Sequence, residues 1–252
     1  MAAGRAGDTI RDIGGATSGG SPRSFRPLSV LIALALLLLL APPPAGAGSS
    51  RTDEALPRAE LLERALAAYR RVEASGRLAN PVLTVIDYSL PSSLRRLWIL
   101  DPDSGRVLAH EHVAHGRGSN HPEDPALAVR FGNQPESHQT SLGTFLTGDT
   151  YVGQHGLSLE LDGLDPGLND RARARRIVIH PADYVSAEFR ARSGGWVGRS
   201  FGCPALAPDV AGDVIERIRG GSVLYADAPD AAGDDRPAAG RPAPALARPD
   251  QD

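Results

Sequence analysis

Gly198-Arg199-Ser200-Phe201-Gly202-Cys203-Pro204-Ala205-Leu206 carries the single cysteine of this 252-residue chain. A lone thiol has no partner for an internal disulfide, and free cysteine is among the most buried residue types, so packing is one reading of it. The flanking residues point to a second. Gly202 lets the backbone turn tightly and leaves N–H groups accessible. Pro204 fixes the exit direction, and Arg199 places positive charge within reach of a thiolate. Both readings, core filler and nucleophile, stand on this window alone.

Working outward, Arg176-Ile177-Val178-Ile179-His180 is a short apolar run ending in an imidazole. It reads as a buried strand delivering His180 to its rim. A thiol of pKa near ~8.5 is mostly protonated at neutral pH. A neighbouring imidazole can take that proton and give a thiolate–imidazolium pair. With seven histidines in the chain, the pairing of Cys203 with His180 needs further support.

That support is a resemblance. Ile177 to His180 followed by Gly198 to Cys203 resembles the catalytic core of the YkuD-like L,D-transpeptidases, which remodel bacterial peptidoglycan. Ser141-Leu142-Gly143-Thr144-Phe145 and Tyr151-Val152-Gly153-Gln154-His155-Gly156 resemble two further landmarks of that family, in the right order. Asp87-Tyr88-Ser89-Leu90-Pro91-Ser92, with Gly198-Arg199-Ser200-x-Gly202-Cys203-Pro204, resembles its murein L,D-transpeptidase branch. Two positions depart from the commoner pattern: Phe201 stands where most members have His, and Ala205 where most have Arg or Asn.

The resemblance implies a Cys203 nucleophile, a His180 base, an oxyanion hole from the N–H groups of Gly202 and Cys203, and a substrate-facing set of Arg199, Ser200, His155 and Gly156. It implies peptidoglycan stem peptides as substrate, acylation by carbapenem β-lactams, and no metal or organic cofactor. The alternative on the same fold is a catalytically inactive peptidoglycan-binding envelope protein.

The fold expected is mostly β, an L,D-transpeptidase-like sandwich or barrel with a few peripheral helices. About eight short strands punctuated by turns carry that expectation independently. They include 82–87, a hairpin of 96–100 and 106–110 around Asp101-Pro102-Asp103-Ser104-Gly105, then 143–147, a Gly148-Asp149 turn, 157–161, 176–180 and 222–226. A helix is expected over 53–76 with Leu62, Leu66, Tyr69 and Val72 on one face, one over 208–219, and a short one within 181–189. Residues 115–140 form a long loop of the kind that shapes clefts.

Residues 30–41 form an apolar run too short for a comfortable membrane span. Arg23 and Arg26 precede it and Pro42-Pro43-Pro44-Ala45-Gly46-Ala47 follows, the pattern of a secretory signal. The expected organisation is therefore a signal peptide with a long basic leader over 1–47, a linker and helix over 48–80, the catalytic domain over 81–226, and a disordered tail over 227–252. Export places the protein in the periplasm or cell envelope, touching membrane only through the signal or an uncleaved anchor. A net charge of −3, with every positive charge an arginine, and 5% aromatic residues give no basis for nucleic-acid binding. His110, His112 and His115 suggest a metal, but strand alternation puts only the first two on one face, and a site needs a third ligand.

Overall fold

The computed structural model describes residues 56–228. The expected signal peptide, and the tail beyond Ala228, lie outside the described residues. No helix among the described residues is long and apolar enough to cross a membrane.

Eight strands form one mixed sheet: β1 Leu83–Asp87, β2 Leu97–Leu100, β3 Val107–Glu111, β4 Gly143–Gly153, β5 Gly156–Gly163, β6 Val178–Pro181, β7 Ala205–Leu206 and β8 Val223–Asp227. Their order is β3-β2-β1-β8-β4-β5-β6-β7. Neighbours are antiparallel except β1 with β8 and β6 with β7, which run parallel. The mostly-β expectation holds. Ile86, Ile99, Phe145 and Leu224 from one half of the sheet share a single core with Leu159, Leu161, Ile179 and Leu206 from the other. The sheet therefore closes over itself, and helix α3 (Pro208–Ile218), which follows the short α2 (Ala187–Arg192), seals that core with Val214, Ile215 and Ile218.

The first helix, α1 (Ala59–Ala74), covers the opposite face of β1, β2 and β8. Its buried seam is Leu61, Ala65, Ala68, Tyr69 and Val72, against Leu83, Val85, Trp98 and Val223. Leu62 and Leu66, expected on that face, sit at its margin, partly buried. Each fully buried leucine or valine contributes ~1.5–3 kcal/mol. Two ion pairs fix the helix on the parallel seam: Arg58 to Asp87 at the end of β1 and Arg64 to Asp227 at the end of β8, both 2.9 Å.

The hairpin around Asp101 forms as expected. The Asp101 carboxylate accepts from the N–H groups of Asp103 and Ser104, and Gly105 takes φ 69°. The Gly148-Asp149 turn does not form. β4 runs straight through it with a register shift between Thr147 and Thr150, and the chain reverses at Gln154-His155 instead. Gly148 is used differently: its carbonyl accepts from Gly220 N–H, and Thr147 Oγ1 binds Ile218 O and Ser222 N–H. The loop that follows α3 holds the bulge in place.

Candidate active site

β6 delivers His180 to the sheet end, and its parallel partner β7 sets Ala205 opposite that histidine. Cys203, two residues before β7, thereby lies along the start of β6. Its sulfur accepts from Val178 N–H at 3.5 Å and, as a thiol, donates to Arg176 O at 3.7 Å. The two expected reactive residues are brought to the same strand. Among the described residues they share no hydrogen bond.

The cysteine turn is held from the other side by residues 114–117. Ala114 N–H donates to Ala205 O, Ser200 N–H to His115 O, and Arg117 N–H to Ser200 O, at 2.8 to 3.0 Å. Within the turn, Ser200 Oγ donates to Cys203 O at 2.6 Å and accepts from Gly202 N–H at 3.0 Å. Ser200 is buried, and its hydroxyl is engaged within the turn. Gly202 takes φ 119°, and a Cβ there would lie 2.8 Å from Gln139 O. A Cβ on Gly116 would lie 2.8 Å from Gly202 Cα, so the two backbones meet glycine to glycine. In this structure the Gly202 N–H, expected in the oxyanion hole, is engaged by Ser200.

Burial pushes the Cys203 thiol up, and the Val178 N–H and the Arg175 guanidinium pull it partly back. Burial pushes His180 below the usual histidine range, the bond to Pro181 O counters this, and His155 adds to it. The resting pair is therefore a thiol and a neutral imidazole, where the sequence suggested an ion pair. Nδ1 of His180 lies 2.9 Å from Pro181 O, an acceptor only, so Nδ1 carries the proton and Nε2 presents a lone pair.

The positive charge beside the thiol is Arg175. Its guanidinium bonds Gly132 O, Gln139 O and Ser141 Oγ, pinning the long loop beneath Gly202. Arg199 points away, exposed, 5.5 Å over the Trp196 ring. His155 stacks on His180, and a Cβ added to Gly156, at φ 77°, would lie 3.6 Å from the Pro181 ring. Phe201 is 61% exposed between the Arg117 guanidinium at 4.3 Å and the His138 ring at 4.6 Å.

A second layer escaped the sequence reading. Arg96 is fully buried, and among the described residues no carboxylate hydrogen-bonds it. It donates to Leu90 O, twice to Val113 O, and to Nδ1 of His115 at 2.8 Å. Nε2 of His115 then donates to Asn120 Oδ1 at 2.9 Å. Burial, then the Arg96 charge, pushes His115 down to about 3. The three histidines that suggested a metal are thus parted: His110 stacks on Trp98, His112 lies beyond β3, and His115 belongs to the arginine.

A family model described as L,D-transpeptidase catalytic domain matches residues 54–226. No curated protein matches the chain. Similar solved structures include an L,D-transpeptidase from Mycobacterium smegmatis, 18% identical, covering 59% of this chain and 59% of that chain with a TM-score of 0.34. LD transpeptidase LdtMt1 in complex with imipenem is 15% identical over 59% of this chain and 60% of that one, at 0.34. The helical cell shape determining protein Pgp2 from Campylobacter jejuni is 12% identical over 69% of this chain and 57% of that one, at 0.37. The chain spans about three-fifths of the length of the first two.

Proposed function

From the premise that this chain belongs to the L,D-transpeptidase catalytic domain family, we propose that it is an exported cysteine acyltransferase acting on peptidoglycan stem peptides, with Cys203 as nucleophile and His180 as base. The observation that carries this reading is the tautomer of His180. The Pro181 carbonyl holds the proton on Nδ1, which leaves Nε2 as an acceptor on the strand against which the thiol lies.

The thiol first turns from Arg176 O towards Nε2. As Sγ bonds the carbonyl carbon of the diamino acid that precedes a terminal D-alanine, Nε2 takes the thiol proton. A buried neutral pair makes this transfer part of the attack, since a preformed thiolate is disfavoured in the same surroundings. The Cys203 N–H, which has no backbone partner in the turn, receives the developing oxyanion; one such donor is worth ~3 kcal/mol. The C–N bond then breaks, and His180 returns its proton to the leaving amine. An amine of a second stem resolves the thioester to a cross-link, and water resolves it to a trimmed stem. Gly202 serves by its conformation, Ser200 by bracing the turn, and His155 with Gly156 by walling the imidazole.

Intact mass spectrometry after incubation with a carbapenem tests the assignment. One adduct is expected on the parent, none on Cys203→Ala, and slow formation on His180→Ala. An unmodified parent whose thiol also resists small alkylating reagents would leave the inactive wall-binding reading in its place.

A further inference from the structure

Beside the thiol lies a recess of ≈ 290 Å³ lined by Tyr151, Glu160, Arg173, Arg176, Ile177 and Val178. β5 and β6 form its floor, with Glu160 paired to Val178 and Leu159 to Ile179. Strand alternation puts Val178 on the same face as His180, opposite the core-facing Ile179. The recess therefore lies one step along β6 from the imidazole.

Its charges are unequally employed. Arg173 is satisfied, with two bonds to Asp162 at 2.7 and 2.9 Å and an ion pair with Glu160. Arg176 is exposed, and among the described residues its guanidinium has no hydrogen bond or ion pair. The backbone of Arg176 is held at φ 56°, a left-handed conformation unusual for a non-glycine residue, and its carbonyl is the acceptor of the Cys203 thiol. A single residue thus touches the nucleophile through its main chain and the recess through its side chain.

The geometry points to Arg176 as the residue that reads the free terminal carboxylate of the acyl donor, so that the enzyme cuts only the last peptide bond of a stem. This rests on the acyltransferase reading. In that reaction the leaving amino acid carries its carboxylate one residue beyond the attacked carbonyl, and a guanidinium anchored at the thiol is placed to meet it. A planar guanidinium takes a carboxylate through two parallel bonds, which fixes orientation as well as charge. Glu160 does not oppose this, because Arg173 neutralises it. Tyr151, half-exposed on the neighbouring strand, gives the recess an aromatic wall.

The test uses three synthetic donor peptides: one with both carboxylates free, one amidated at the terminal carboxyl, and one amidated at the side-chain carboxyl of the diamino acid. In the parent, terminal amidation is expected to lower kcat/KM about 30-fold, the worth of a charge-assisted hydrogen-bonded contact. Arg176→Gln should bring the free acid down to the rate of the terminal amide, abolishing the preference between them, with Arg176→Lys in between. Equal rates for acid and terminal amide in the parent, a preference that survives Arg176→Gln, or sensitivity only to side-chain amidation overturns the assignment while leaving the acyltransferase intact. Calorimetric titration of Cys203→Ala with the same peptides separates the two claims. If the parent is catalytically silent but Cys203→Ala prefers the free acid and loses that preference on adding Arg176→Gln, the carboxylate subsite stands and acyl transfer falls. If it is silent and binding shows no preference, both fall.

Discussion

The imidazole of His155 stacks on that of His180, with ring centroids 4.6 Å apart and planes 29° from parallel. Two imidazoles at this distance cannot both be protonated cheaply. His155 therefore adds to burial in favouring the neutral form of His180 as the medium becomes acidic. His155→Phe retains a ring and removes the charge. The acid limb of the pH profile for carbapenem acylation should then move to higher pH, because His180 becomes easier to protonate. An unmoved limb, with a normal rate on its plateau, would leave His155 as packing alone.

Gly202→Ala should damage both fold and site. The residue sits at φ 119°, and its new methyl would press on the Gln139 carbonyl. Backbone strain of this kind costs ~1–3 kcal/mol. The midpoint of urea denaturation should fall accordingly, and carbapenem acylation should slow by about tenfold or more as the turn displaces Cys203. A variant of parental stability and acylation rate would remove the glycine contact from the account.

Stability should decline on mild acidification. His115 is fully buried and held at about 3, below its ordinary 6.5. Above the unfolded value both states are neutral and its contribution is complete. As pH falls below that value the unfolded chain gains a proton that the folded chain refuses, so stability is lost by up to about 1.4 kcal/mol per pH unit. The partly buried His112, pushed down to about 4 by burial and then by Arg190, adds in the same direction. Thermal melting between pH 7 and pH 5 should show a falling Tm, with a shallower slope in His115→Gln. Parallel slopes for parent and variant would contradict this.

Arg96→Met removes donors from Leu90 O, Val113 O and His115 Nδ1 in a site closed to water. At ~1–3 kcal/mol for each buried group left unpaired, a loss of about 3 kcal/mol or more is expected in urea unfolding. The effect should reach the thiol, because His115 O holds Ser200 N–H. Alkylation of Cys203 by a small reagent should therefore quicken in folded Arg96→Met. Unchanged reactivity would confine Arg96 to stability.

How much of this was legible beforehand follows from the range of each interaction. The turn at Asp101 and the strand ending in His180 are local, written in residues that touch their own neighbours, and both were read correctly. The turn assigned to Gly148-Asp149 used the right residue types, but residues 218–222 hold that backbone extended from some seventy positions away, and nothing local reveals it. The proposed partnership of Cys203 with His180 rests on family likeness, since only the pairing of β6 with β7 brings the two to the same strand. Arg199 was chosen as the thiol's cation by proximity in sequence. Arg175 holds that place because the turn leading into β6 runs alongside the cysteine turn. Arg96 left no signal, because a buried arginine served by carbonyls looks in sequence like any surface arginine.

The strand that closes the sheet is the last one in the described chain. β8 lies between β1 and β4, so it alone connects β3-β2-β1 to β4-β5-β6-β7. Without residues 223–227 no strand pairing joins the two pieces, which then meet through the shared core and the bonds of residues 114–117 to the cysteine turn. Assembly is thus deferred until nearly the whole domain is available, a slow non-local closure. Strand pairing across the whole sheet is completed only when the last strand of the domain takes its place between β1 and β4.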